Sequence, residues 1–207
     1  MRSCFPLFQS HIDLAHQYWQ TALTPGDTAI DATCGNGHDS LVLAKWALSE
    51  TAGKLIVMDI QVAAITNTHN LLASRLSEKS LSRVHYLQQS HAEFPASIAK
   101  RSVKLIVYNL GYLPGGDKSL TTMTDSSLES IQRALELIVN GGVISITCYP
   151  GHPEGEKEHE KILALVNTLP SNEWNCCHHK WMHSPKAPSL LLLQRGSTQS
   201  FEYTDTE

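Results

Sequence analysis

The chain has no surplus of positive charge: 16 Lys and Arg stand against 20 Asp and Glu over 207 residues, a formal net charge of −4. That balance excludes the broad electrostatic footprint of a general nucleic-acid binder, although it leaves room for a local basic patch. Cysteine is scarce, with five residues and no Cys-x-x-Cys spacing. An odd, unpaired set excludes a disulfide framework and fits a reducing compartment. No apolar run reaches the length of a membrane span, and residues 1–10 lack the basic start and long apolar stretch of a signal peptide. The expected location is therefore the cytoplasm or an organelle's equivalent compartment, with no membrane partner. No repeat, low-complexity tract or long linker interrupts the sequence. One domain is expected over 1–207, with a helical segment over 1–24 and a flexible acidic tail over 196–207.

Two further absences narrow what the most informative segment can hold. Asp31-Ala32-Thr33-Cys34-Gly35-Asn36-Gly37-His38-Asp39 reads as the end of an apolar strand, a Gly-Asn-Gly turn and the start of a helix. Gly35 and Gly37 permit positive φ and close approach of a ligand to the main chain, and the first amides of the helix face the turn. Asp59, ending the next apolar strand, stands where a ribose-binding carboxylate is expected in a nucleotide-binding βα unit. Yet the third glycine of a dinucleotide fingerprint is missing, its place taken by Ser40, and no Gly-Lys-Ser/Thr of a phosphate-binding loop occurs. Asp31 and Asp39 on either side of the turn would repel a phosphate and suit a ligand carrying ammonium and sulfonium groups. S-adenosylmethionine is such a ligand, and it is the expected cofactor.

Elsewhere strands and helices alternate, which predicts an α/β fold with a mostly parallel sheet covered on both faces. Helices are expected over 11–23, 62–77, 125–139 and 156–169, the third capped by Asp125 or Ser126. Strands are expected over 28–33, 54–58, 83–88, 103–108 and 143–148, with a closing pair over 174–181 and 189–194. Ser90 and His91 follow the third strand and belong on the ligand-side rim, the alternative being a cap at Ser90 with an exposed His91. Asn109-Leu110-Gly111-Tyr112-Leu113-Pro114-Gly115-Gly116-Asp117-Lys118 delivers an asparagine, a flexible turn and an aromatic ring to the same rim. Its arrangement resembles the Asn-Pro-Pro-Tyr loop of amino-group methyltransferases. The Asn109 side-chain oxygen and the Leu110 carbonyl can accept hydrogen bonds from an amine and orient its lone pair, while Tyr112 can stack on a base. Tyr149-Pro150-Gly151-His152 adds a titratable ring on a fourth rim loop.

These segments, with Leu23-Thr24-Pro25-Gly26-Asp27, resemble the class I methyltransferase family labelled putative rRNA methylase, over about 11–195. Some bacterial members methylate the aminomethyl group on C5 of the wobble uridine of tRNA, giving 5-methylaminomethyl-(2-thio)uridine. The resemblance implies a Rossmann-like, doubly wound, seven-stranded sheet with its last strand antiparallel and, in many members, a homodimer. It implies a cofactor site at Asn36, Gly37, His38, Asp39, Asp59, Gln61, Ser90 and His91. Asp59 would take the ribose hydroxyls, Asp31 or Asn36 the methionine ammonium, and Ile60 and His91 would flank the adenine. The implied substrate is a tRNA anticodon stem-loop, with Asn109, Tyr112 and His152 catalytic and Leu110, Gly111 and Lys118 beside them in acceptor binding. His152, His38 or a water on Asp39 would take the proton that the amine must lose.

Lys100, Arg101 and Lys104, together with Lys118, Lys180 and Lys186, are the cations available for phosphate contacts, although such residues also serve as an ordinary solvated face. Cys176-Cys177-His178-His179 with His183 lacks the paired spacings of a structural zinc site, and a strand sends neighbours to opposite faces. No metal is expected there. Cys34, with no base beside it, reads as a small buried residue. An rRNA methyltransferase or a small-molecule methyltransferase would share the cofactor residues, and a non-catalytic S-adenosylmethionine-binding protein would need neither Asn109 nor Tyr112.

Overall fold

A computed structural model describes residues 10–111 and 122–197. Seven strands, β1 (Thr28–Asp31), β2 (Lys54–Asp59), β3 (Val84–Gln88), β4 (Val103–Leu110), β5 (Ile138–Cys148), β6 (Trp174–His179) and β7 (Ser189–Arg195), form one sheet in the order β3-β2-β1-β4-β5-β7-β6. Neighbours run parallel except β7, which is antiparallel to both β5 and β6. The expected doubly wound α/β sheet with its reversed last strand is present.

The strands read as nearly continuous apolar runs because helices cover both faces. Alternation then sorts each strand between two cores. In β2, Leu55 and Val57 pack on one side and Ile56 and Met58 on the other; in β4, Leu105 and Val107 oppose Ile106, Tyr108 and Leu110. The first side carries α1 (His11–Ala22), α2 (His38–Ala47) and α3 (Val62–Ala73), through Ala15, Trp19, Leu43, Ala44 and Leu72. The second carries α5 (Thr124–Leu137) and α6 (Pro153–Val166), through Ile131, Ala134, Ile162 and Val166. Among the described residues no helix is long and apolar enough to cross a membrane.

Each departure from the sequence reading has a specific contact behind it. The helix expected over 62–77 ends at Ala73, and a separate turn of helix, α4 (Glu78–Leu81), follows, capped by Ser77, whose Oγ accepts from Ser80 N. The helix expected to run to 139 stops at Leu137 because Ile138 already pairs with Val103 at the edge of β4. Gly141, at φ +73°, lies within the following strand, where the β4–β5 register shifts. No side chain caps α5 from its own sequence. Glu154 of α6 does so instead, its Oε1 accepting from Thr124 N at 3.1 Å and from Thr124 Oγ1 at 2.7 Å.

Between β1 and β4 the strand order reverses, so the loops leaving their carboxyl ends go opposite ways and open a crevice. Ala32 N bonds to Val107 O at 3.0 Å, and Thr33 Oγ1 accepts from Asn109 N at 2.7 Å. Asn109 is therefore fixed by the backbone at the lip of that crevice.

Candidate active site

The crevice is a cavity of about 840 Å³ walled by four loops and the first helix. Thr33, Cys34, Gly35 and Asn36 from the first turn and His38 and Asp39 from α2 form one wall. Asn109 and Gly111 come from the end of β4, and Tyr149, Gly151 and His152 from the end of β5. Ile12 and His16 of α1 and Lys186 and Pro188 from the β6–β7 connection complete the rim.

The two glycines of the turn do different work. Gly35 lines the cavity and adopts φ +51°. Gly37, at φ +82°, is the residue before α2, and a Cβ there would sit 2.8 Å from Thr68 Cα. The close approach it permits is that of α3, which also holds the turn through Thr68 Oγ1 donating to Gly35 O at 3.1 Å. Gly37→Ala is expected to cost about 2–3 kcal/mol, from left-handed backbone strain together with a backbone clash, read as a lowered urea midpoint.

Three carboxylates stand near the turn in three environments. Asp31 is 1% exposed; Ser40 Oγ donates to its Oδ2 at 2.5 Å and Thr33 N to its Oδ1 at 3.2 Å. Burial pushes its pKa up to about 7. It is not among the residues that line the cavity, whereas Asp39 is. Asp39 lines the cavity, with His16 Nε2 at 2.7 Å from Oδ1 and Asn109 Nδ2 donating to Oδ2 at 2.7 Å. Asp59 ends β2 and accepts from Gln61 N at 2.9 Å and Gly35 N at 3.1 Å. Desolvation raises its pKa against the pull of those amides.

Other expected residues fall in varied places. Ile60 is exposed beside Asp59, and Gln61 precedes α3. Asn36 lines the cavity and accepts from Asn67 Nδ2 at 3.1 Å. Ser90 closes a turn, its Oγ accepting from Ala92 N at 3.2 Å. His91 is neither at the rim nor exposed: it is buried, its ring edge-on to Tyr108 and 3.4 Å from Ser127 Oγ, and its carbonyl accepts from Ser130 Oγ at 2.6 Å. Burial lowers its pKa to about 4, so it packs as a neutral ring under α5. Leu110 is buried, and Gly111 O accepts from Thr122 N at 2.9 Å, across the stretch of sequence that holds Tyr112 and Lys118. Those two residues lie outside the described ones.

His152 lines the cavity and caps α6, its Nδ1 accepting from Gly155 N at 3.1 Å. The neutral ring then carries its proton on Nε2, which makes it a donor and removes it from the set of proton acceptors as long as the cap holds. Cys34 is buried, with its thiol pKa pushed far up by burial, as befits an inert thiol.

The cations divide by the end of the sheet they occupy. Lys100 and Arg101 precede β4 and Lys104 is its second residue, at the opposite end from the cavity, and they contact Glu136, Asn140 Oδ1 and Gly141 O respectively. They are not phosphate contacts for this site. Lys186 lies at the cavity rim, with Lys180 in the same connection beside the exposed Trp181 and Met182. Among the described residues no group of three His, Cys, Asp or Glu side chains is placed to hold a metal ion.

Sequence reasoning missed His16, Tyr149 as a wall residue, and Ile12. Tyr149 OH lies 3.4 Å from His11 Nε2, which joins α1 to the β5 loop. A profile of the family described as "Putative rRNA methylase" matches residues 55–195. The chain belongs to that family. This methyltransferase is 36% identical over 185 residues to a protein of Arabidopsis thaliana described as a chloroplastic tRNA (mnm(5)s(2)U34)-methyltransferase, spanning 87% of this chain and 68% of that one. A crystal structure described as a putative rRNA-methylase from Clostridium thermocellum superposes with a TM-score of 0.84 at 30% identity, covering 91% of this chain and 98% of the other. A putative methyltransferase from Streptococcus mutans, in complex with SAH, shares the fold with a TM-score of 0.78 at 24% identity, over 91% and 99%.

The cofactor of this methyltransferase is S-adenosylmethionine. The donor set fits it: a bared main chain at Gly35, the Asp39 carboxylate facing the cavity and the Asp59 carboxylate next to it, with no lysine in the turn to call for phosphate.

Proposed function

We propose that this methyltransferase N-methylates the 5-aminomethyl group of the wobble uridine in tRNA, giving 5-methylaminomethyl-(2-thio)uridine. The observation that carries the reading is the state of Asn109. Its amide nitrogen is taken by Asp39, so its oxygen is the group left to face the acceptor. A neutral primary amine has two N–H bonds to give and one lone pair to aim. Donating to Asn109 Oδ1 and the Leu110 carbonyl points that pair along one direction. The bound cofactor supplies a methyl group on a positively charged sulfur.

Identity to the Arabidopsis protein supports the wobble uridine as the acceptor, and Lys186 at the rim, with Lys180 in the same β6–β7 connection, fits phosphates flanking an anticodon loop. Mass spectrometry of wobble nucleosides from cells with and without the protein tests the reading: the aminomethyl form should accumulate on deletion. Asn109→Ala is expected to lower kcat about a hundredfold, as misorientation of a reacting group does, with cofactor affinity within about threefold of wild type by calorimetry. A loss of cofactor affinity matching the loss of turnover would remove Asn109 from acceptor positioning.

A further inference from the structure

Asn109 reaches the cavity as an amide, and an amide can turn either its oxygen or its NH₂ toward an acceptor amine; only the oxygen can accept the amine's N–H. What decides between them is Asp39. A carboxylate accepts and does not donate, so the 2.7 Å contact from Asn109 to Asp39 Oδ2 must be made by the nitrogen. The other oxygen of Asp39 is occupied in turn: His16 Nε2 lies 2.7 Å from Oδ1 and must donate to it, in the neutral ring or the imidazolium alike. The His16 ring is itself held, 4.9 Å from the ring of Trp19, which is 2% exposed and anchors α1 in the core. Three elements thus meet in one line of hydrogen bonds: α1 through His16, the start of α2 through Asp39, and the end of β4 through Asn109. All three side chains line the cavity.

We propose that His16, acting through Asp39, is a positioning residue for methyl transfer: the pair locks the Asn109 amide with its oxygen toward the acceptor amine. This deepens the amine-methylating reading above and rests on it. Without His16, Asp39 has one bond fewer to fix its plane, and the Asn109 amide can rotate toward the arrangement that repels the amine's N–H.

The test compares His16→Leu, which removes the donor, with His16→Gln, whose amide nitrogen reaches about as far as the imidazole Nε2. The substrate is tRNA bearing 5-aminomethyluridine. His16→Leu should lower kcat by about tenfold to a hundredfold while the tRNA KM and the cofactor Kd move less than about threefold, and His16→Gln should recover most of the loss. In an Asn109→Ala background His16→Leu should add nothing. A kcat unchanged by His16→Leu, or an equal further loss in the Asn109→Ala background, overturns the relay. The Asn109 side-chain amide in ¹H–¹⁵N spectra reports independently of turnover: its signals should shift and lose exchange protection in His16→Leu and keep both in His16→Gln. Unaltered signals overturn the relay even if the wild type methylates its substrate. A wild type that transfers no methyl group to this tRNA defeats the amine reading instead, and the amide signals then decide the relay alone.

Discussion

Asp59→Ala should weaken S-adenosylmethionine binding by roughly 10²- to 10⁴-fold in calorimetry. An ionised carboxylate offers about four lone-pair directions. In this protein the amides of Gln61 and Gly35 donate to it, with that of Ile60 alongside, so Asp59 joins the end of β2 to the turn after β1. The acceptor capacity left over suits a vicinal diol, such as the 2′ and 3′ hydroxyls of the cofactor ribose. Each charged hydrogen bond is worth about 1.5–3 kcal/mol, and a pair therefore about 3–6 kcal/mol, or roughly two to four powers of ten. Alanine also leaves Gly35 N–H and Gln61 N–H without their acceptor, which loosens the turn before any ligand arrives. Asp59→Asn keeps one acceptor oxygen and should fall between the two. Equal affinity in wild type and Asp59→Ala would count decisively against this carboxylate as the ribose ligand.

The βα unit carrying that turn was legible because its signals are local. A glycine pair after an apolar strand, and a carboxylate at the end of the next, fall within one stretch of chain, and the structure sets Gly35 N against Asp59. Where the reading strayed, the deciding contacts were distant in sequence. The end of α5 is set by the pairing of Ile138 with Val103, and its cap is Glu154, a residue of the next helix. Nothing in the local run Leu137-Ile138-Val139-Asn140 separates a last helical turn from a first strand residue. The turn of helix α4, by contrast, had a local signal in Ser77 and was hidden only by the apolar spacing before it.

Site residues divide the same way. Position along a strand end places Asn109 and Asp59 on the rim, but it does not tell which way a side chain turns. Asp31 and Asp39 flank one turn and differ in fate because Asp31 is covered by Ser40, which stands where a glycine would leave room. His91 follows the third strand as expected, but its ring is buried, drawn inward by Tyr108 and the hydroxyls of α5. His16 gave no sign at all, since its partner is 23 residues away and its helix reads as an ordinary amphipathic segment.

The buried acid behind the turn makes stability itself pH-dependent. With a folded-state pKa of about 7 against an unfolded value near 3.9, Asp31 binds its proton more tightly in the folded chain. Its contribution is fully present below about pH 4, is lost as pH rises toward 7 and stays lost above that. Each unit of separation is worth about 1.4 kcal/mol, so the full loss is on the order of 4 kcal/mol. Asp31→Asn removes the titration while keeping an oxygen for Ser40 Oγ. The wild type should therefore be the more stable protein near pH 4.5 and the less stable one at pH 8, with the difference in urea-derived unfolding free energy changing sign between them. Taking the difference removes the parallel effects of Glu158, also raised by burial, and of His91, lowered by it, since both proteins carry them. A difference that stays constant from pH 4.5 to 8 would mean that Asp31 is ionised throughout, and the negative charge behind the turn would then be permanent. If Asp31 titrates as its burial demands, the cationic cofactor favours the ionised form. Binding near pH 6 should then release part of a proton, and Asp31→Asn should abolish that release.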